Sequence, residues 1–80
     1  MHVATELSLY PLSADYIPPI RDFIARLNAR PGIAVVTNSM STQVSGEFDA
    51  VFAALAAEMR HTLAGKNRAV FVMKVLGGGD

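Results

Sequence analysis

The sequence predicts an α+β sandwich: two helices on one face of a four-stranded antiparallel sheet, in the order β-α-β-β-α-β. Three observations carry this expectation. Apolar and polar residues alternate with period two through residues 2–10 and again through 42–45, the mark of half-buried strands. Two stretches, around 17–27 and 47–63, repeat apolar residues at the spacing of one buried helix face. Short β-branched or apolar runs at 33–37 and 69–76 complete the strand set.

In chain order, His2 to Tyr10 forms the first strand. Val3, Thr5, Leu7 and Leu9 point one way, and Glu6, Ser8 and Tyr10 the other. Pro11 ends it, because proline lacks the ladder donor. Ser13 to Asp15 are capping-type residues for a first helix. Pro18 and Pro19 lie outside that helix or in its first turn. Ile17, Ile20, Phe23, Ile24 and Leu27 form its apolar stripe, and Arg21, Asp22, Arg26 and Arg30 occupy other faces. Pro31-Gly32 stops it.

Ile33 to Thr37 is the second strand, Asn38-Ser39 a hairpin turn, and Met40 to Ser45 the third strand. Gly46 is read as a strand breaker. Glu47 and Asp49 suit the positive end of a second helix running to about Leu63. Its buried face carries Phe48, Val51, Phe52, Leu55 and Met59. Its alanines favour helix and allow close approach of a neighbour. Arg60 and His61 suit its negative end, and Gly65 is its candidate C-cap. Ala69 to Leu76, apolar on nearly both faces except at Lys74, reads as a central strand. The Gly77 to Asp80 tail is expected to be mobile. The order is that of the ferredoxin-like split βαβ plan, in a single domain spanning 1–80.

Composition excludes several functions. The 80 residues are 51% hydrophobic and 18% charged, which fits one compact domain with more apolar surface than it can bury alone. A homo-oligomer, dimer or tetramer, is therefore expected. Seven basic and seven acidic side chains cancel, so no field draws in nucleic acid. Without cysteine there is no disulfide, thiolate metal site or thiol nucleophile. No apolar run approaches the ~20 residues of a membrane span and no signal-peptide pattern opens the chain, so a cytoplasmic protein without membrane insertion is expected.

No nucleophile-elbow motif surrounds any serine. His2 is terminal and reads as frayed, and His61 reads as a capping or surface residue. Neither has a carboxylate at ligand spacing, which disfavours a metal site. Gly77-Gly78-Gly79 has no helix behind it and is not a phosphate loop. A catalytic set is thus absent from the reading. The sheet face away from the helices is different. Glu6, Ser8 and Tyr10 share it, and Lys74, Val70 and Val72 join them if the strands pair as expected. An apolar surface with a few placed polar groups is the make-up of a small-molecule pocket, and equally of a solvated or dimer-packed face. Glu6 either pairs with Lys74 or meets an amino-bearing or cationic ligand.

Glu6-Leu7-Ser8-Leu9-Tyr10-Pro11-Leu12, then Met40-Ser41-Thr42-Gln43-Val44-Ser45-Gly46-Glu47 with Asp49, Val51 and Phe52 behind it, resembles the YkoF-like thiamine/hydroxymethylpyrimidine-binding family. The likeness spans nearly the whole chain, and the Ser-Leu-Tyr-Pro and Met-Ser-Thr segments are its specific parts. It implies non-catalytic binding of thiamine or its hydroxymethylpyrimidine moiety, in salvage or transport, with no cofactor. It nominates Ser8, Tyr10, Ser41 and Thr42 for ligand binding, with Glu6 as the charged group. The family's namesake looks like a tandem of two such domains, whereas this chain has one, so an oligomer would replace the internal pairing. The alternatives are a structural or regulatory oligomerisation module without a ligand and, further off, a small enzyme on the same fold.

Overall fold

The computed structural model describes residues 1–78. The order is β1 (His2–Pro11), α1 (Ile17–Asn28), β2 (Ile33–Thr37), β3 (Thr42–Glu47), α2 (Phe48–Leu63) and β4 (Ala69–Gly77). The strands lie in the order β2-β3-β1-β4, every pair antiparallel. This is the ferredoxin-like fold expected. Both helices cover one sheet face, where Val3, Leu7 and Val44 meet Phe23 and Leu27 of α1 and Val51 and Leu55 of α2 in one core. Phe23 tilts against Phe71 with ring centroids 5.0 Å apart. Thr5 is buried within this apolar set because its Oγ1 donates to the Val44 carbonyl at 2.8 Å, which satisfies the hydroxyl.

Several local expectations are corrected. Among the described residues, β4 is an edge strand, bonded only to β1. Its two apolar faces are not both covered: Phe71 and Met73 pack against the core, while Val70, Val72 and Leu76 stay exposed. Gly46 does not break β3; it pairs with Val3 on one side and Ile33 on the other. Its φ of +148° is open to glycine, and a Cβ there would sit 3.3 Å from the Gly32 carbonyl oxygen. β3 starts at Thr42 rather than Met40, so the connection from β2 is a turn over residues 38–41. Asn38 builds that turn by itself: its Oδ1 accepts from the amides of Met40 (2.8 Å) and Ser41 (2.9 Å), and its amide donates to the Ser41 carbonyl at 3.0 Å.

The helix ends also differ. Tyr16, not Ser13 or Asp15, occupies the N-cap of α1, without a side-chain cap; Pro18 and Pro19 lie in the first turn, where their missing amides cost nothing. α1 stops at Asn28, before Arg30. Ala64 rather than Gly65 is the C-cap of α2. His2 is ordered in β1 opposite Glu47, and the terminal amino group binds the Glu47 carboxylate at 3.0 Å. Gly77 belongs to β4, opposite Val3, Gly78 follows it with φ +82°, and the last two residues of the expected mobile tail, 79–80, lie outside the described residues.

The helices are joined by a charged cluster absent from the sequence reading. Glu58, on the buried side of α2, accepts from Arg26 Nε and Arg30 Nε, each at 2.7 Å. Arg26 also donates to Thr62 Oγ1 at 2.7 Å, to the Glu58 carbonyl at 3.2 Å, and to Asp22 one turn earlier. Among the described residues, no helix is long and apolar enough to cross a membrane.

Candidate functional site

Residues directly opposite in an antiparallel ladder point to the same face. Glu6 faces Gln43 on one side and Lys74 on the other; Ser8 faces Val72 and Tyr10 faces Val70. Since Leu7 and Thr5 lie under the helices, this whole set lies on the uncovered face. The 38–41 turn folds up beside it and is held there by two hydrogen bonds, one donated by the turn and one donated to it. Ser41 Oγ donates to Glu6 Oε2 at 3.1 Å, and Ser8 Oγ donates to the Met40 carbonyl at 3.3 Å. The result is an open cleft of about 520 Å³ bordered by Glu6, Ser8, Tyr10, Ser41, Val72 and Lys74. Four of the five sequence-nominated residues therefore come together.

Thr42 does not border this cleft. Its register partner Leu7 is on the helix-covered face, and so is Thr42, which is buried with its Oγ1 3.4 Å from that of Thr37. The alternation in β3 left open which set faced the helices; pairing with β1 decides it, and the polar set Gln43 and Ser45 takes the open side. Together with Ser8, Tyr10 and Ser41, Thr42 lines a second, smaller pocket of about 160 Å³ between the end of β1, the 38–41 turn and α1.

The Glu6 carboxylate is not buried: 43% of its side chain is accessible, and Lys74 Nζ stands 3.9 Å away at the end of a side chain that is 83% accessible. An exposed pair at that distance contributes roughly 0–1 kcal/mol. Glu6 thus keeps most of its capacity to meet a ligand donor, and Lys74 can swing aside at little cost. Tyr10, 54% exposed, offers a ring face at the rim. The cleft can accept hydrogen bonds at Glu6, exchange them at Ser8 and Ser41, and stack a flat ring. Asn38 and Met40, read from the sequence only as turn and strand, belong to its wall. The Asn at the first position of a β-turn was the available signal.

Solved structures share this architecture. A hypothetical protein of Methanocaldococcus jannascii is 25% identical over 99% of this chain and 82% of its own, with a TM-score of 0.83. A Streptococcus pneumoniae protein is 23% identical over 99% of this chain and 89% of its own, with a TM-score of 0.89. A Thermotoga maritima protein, assigned provisionally to thiamine biosynthesis or salvage, is 19% identical over 94% of this chain and 82% of its own, with a TM-score of 0.80. No curated protein matches the chain. The model of the YKOF-related family matches residues 2–75.

Proposed function

This chain belongs to the YKOF-related family, and we propose that it binds thiamine or its hydroxymethylpyrimidine moiety without transforming it. The observation that carries the reading is the convergence of Glu6, Ser8, Tyr10 and Ser41 on one cleft of the uncovered sheet face. An aminopyrimidine presents donors and acceptors along one edge, which carboxylate and hydroxyl groups match. A thiazolium cation suits an aromatic face or the Glu6 carboxylate. The likeness to the Thermotoga maritima protein supports the choice of ligand class. Calorimetric titration with thiamine and with hydroxymethylpyrimidine tests it. Saturable binding with the ligand recovered intact by chromatography is expected. Protein-dependent loss of thiamine, or no binding of either compound, would overturn it.

We also propose that the chain works as a homo-oligomer. Val36, Val70, Val72 and Leu76 are exposed on the uncovered face, the last at 74%. β4 is an edge whose only charge is Lys74, with little to discourage pairing. Light scattering at micromolar concentration should give a multiple of the 8.5 kDa chain mass. A monomer of that mass would count against it.

A further inference from the structure

A further concavity, of about 510 Å³, opens between the start of α1, the end of α2 and the 64–68 connection into β4. It shares no residue with the sheet-face cleft or with the smaller pocket. Its polar lining is basic. His61, Lys66 and Arg68 border it, and none of these side chains has a hydrogen-bond or ion-pair partner among the described residues. In a chain whose seven basic and seven acidic residues cancel, this is a local excess of positive charge. The one carboxylate in the lining, Asp22, is already held by Arg26. Thr62 adds a neutral donor: its Oγ1 accepts from Arg26 at 2.7 Å, which leaves the hydroxyl hydrogen to donate elsewhere. The main chain contributes too. The amides of Ala64 and Gly65 close back on the Arg60 and Thr62 carbonyls at 2.9 and 3.2 Å, so the negative end of α2 is partly covered. The amides of Lys66 and Asn67 have no acceptor among the described residues.

We propose that this concavity binds the phosphate group of a small phosphate ester, at a site separate from the sheet-face cleft and independent of the function proposed for it. The free groups of the lining are donors, and a phosphate ester presents acceptor oxygens and up to two negative charges. Arg68 offers a planar fork that can bond two oxygens at once, and Lys66 a compact point charge. His61, Thr62 and the two open amides supply further donors for the remaining oxygens. A metal cation finds no match here, because the only carboxylate is already paired. A carboxylate ligand carries one charge and fewer acceptors, and would leave part of the donor set unused. Size argues for an ester rather than a bare ion. About 510 Å³ falls within the roughly 300–1,000 Å³ of small-molecule clefts, more than an isolated oxyanion needs. Pro11, Pro18 and Pro19 form an apolar part of the lining, suited to the organic group of the ester.

Amide-resolved NMR titrations of the unmodified protein with inorganic phosphate and with phenyl phosphate test the site. Ionic strength is held constant with chloride, because attraction to exposed cations is screened by salt. Saturable shifts are expected at residues 61–62 and 65–69 with both probes, and phenyl phosphate is expected to bind the more tightly. Lys66→Gln combined with Arg68→Gln changes two exposed side chains that hold nothing else in place. It should leave the unfolding midpoint unchanged and weaken phenyl phosphate by at least about tenfold. Shifts no larger than chloride alone produces, or saturation at other residues, would overturn the site. So would inorganic phosphate binding as tightly as phenyl phosphate, or an unchanged affinity in the double variant. Thiamine binding is titrated separately, and its presence or absence bears only on the sheet-face cleft.

Discussion

Replacing Glu58 by alanine should cost this domain about 2–4 kcal/mol of stability, the largest loss expected of any single polar substitution in it. Glu58 is the common acceptor for Arg26 and Arg30, and its removal leaves Arg26, only 18% accessible, with the exposed Asp22 carboxylate as its remaining acidic partner. Arg30 is 38% accessible and recovers part of its loss from water, which keeps the figure below that of a fully buried triad. A domain of this size has a total stability of roughly 4–12 kcal/mol, so the loss removes a large share of it. Thermal unfolding should show a midpoint on the order of 10–25 °C lower. A change of under about 1 kcal/mol would mean that the cluster is solvated and contributes little.

The same cluster sets an acid limit. The hydrogen bond from Arg30 holds the Glu58 carboxyl below its ordinary value of 4.5; burial opposes this, and the Arg26 hydrogen bond with the charges of both arginines reinforces it. The unfolded chain therefore takes up the proton first as pH falls. The contribution is complete above 4.5 and is lost as pH drops through the lower folded value. Stability measured against pH should fall in that acid window, and Glu58→Gln should flatten the slope there.

Glu6→Gln should weaken thiamine binding by roughly ten- to more than a hundredfold, because a hydrogen bond to a charged group is worth about 1.5–3 kcal/mol. Its fold should survive. The carboxylate is 43% accessible and 3.9 Å from Lys74, so losing that pair costs within about 1 kcal/mol. The amide oxygen of glutamine still accepts from Ser41, and the turn keeps its anchor. Calorimetry and thermal unfolding on one purified variant separate the two roles of Glu6. A lower melting temperature with unchanged thiamine affinity would assign Glu6 to the scaffold rather than the cleft.

The alternation of β1 made Glu6, Ser8 and Tyr10 legible as one face, since side-chain direction in a strand is a local property of period two. Glu58 also carries a signal that is readable in the sequence. Val51, Leu55, Glu58 and Thr62 follow helical spacing, so the carboxylate lies on the stripe already identified as buried. Charge alone suggests outer faces for Arg26 and Arg30; a long guanidinium side chain reaches a partner on the neighbouring helix instead.

By itself the sequence determined the element order, the ferredoxin-like plan, the helix-facing set of β1 and the family resemblance, all of which rest on local periodicity or on contiguous motifs. Only the tertiary structure decided that β4 is an edge, that Gly46 stays inside β3, and that Thr42 turns away from Ser41 toward the helices. Each of these depends on which strand lies beside which and in what register. The register of β1 on β3 is fixed by residues 35 or more positions apart, such as Leu7 opposite Thr42, and a shift of one residue would exchange every side chain between the two faces.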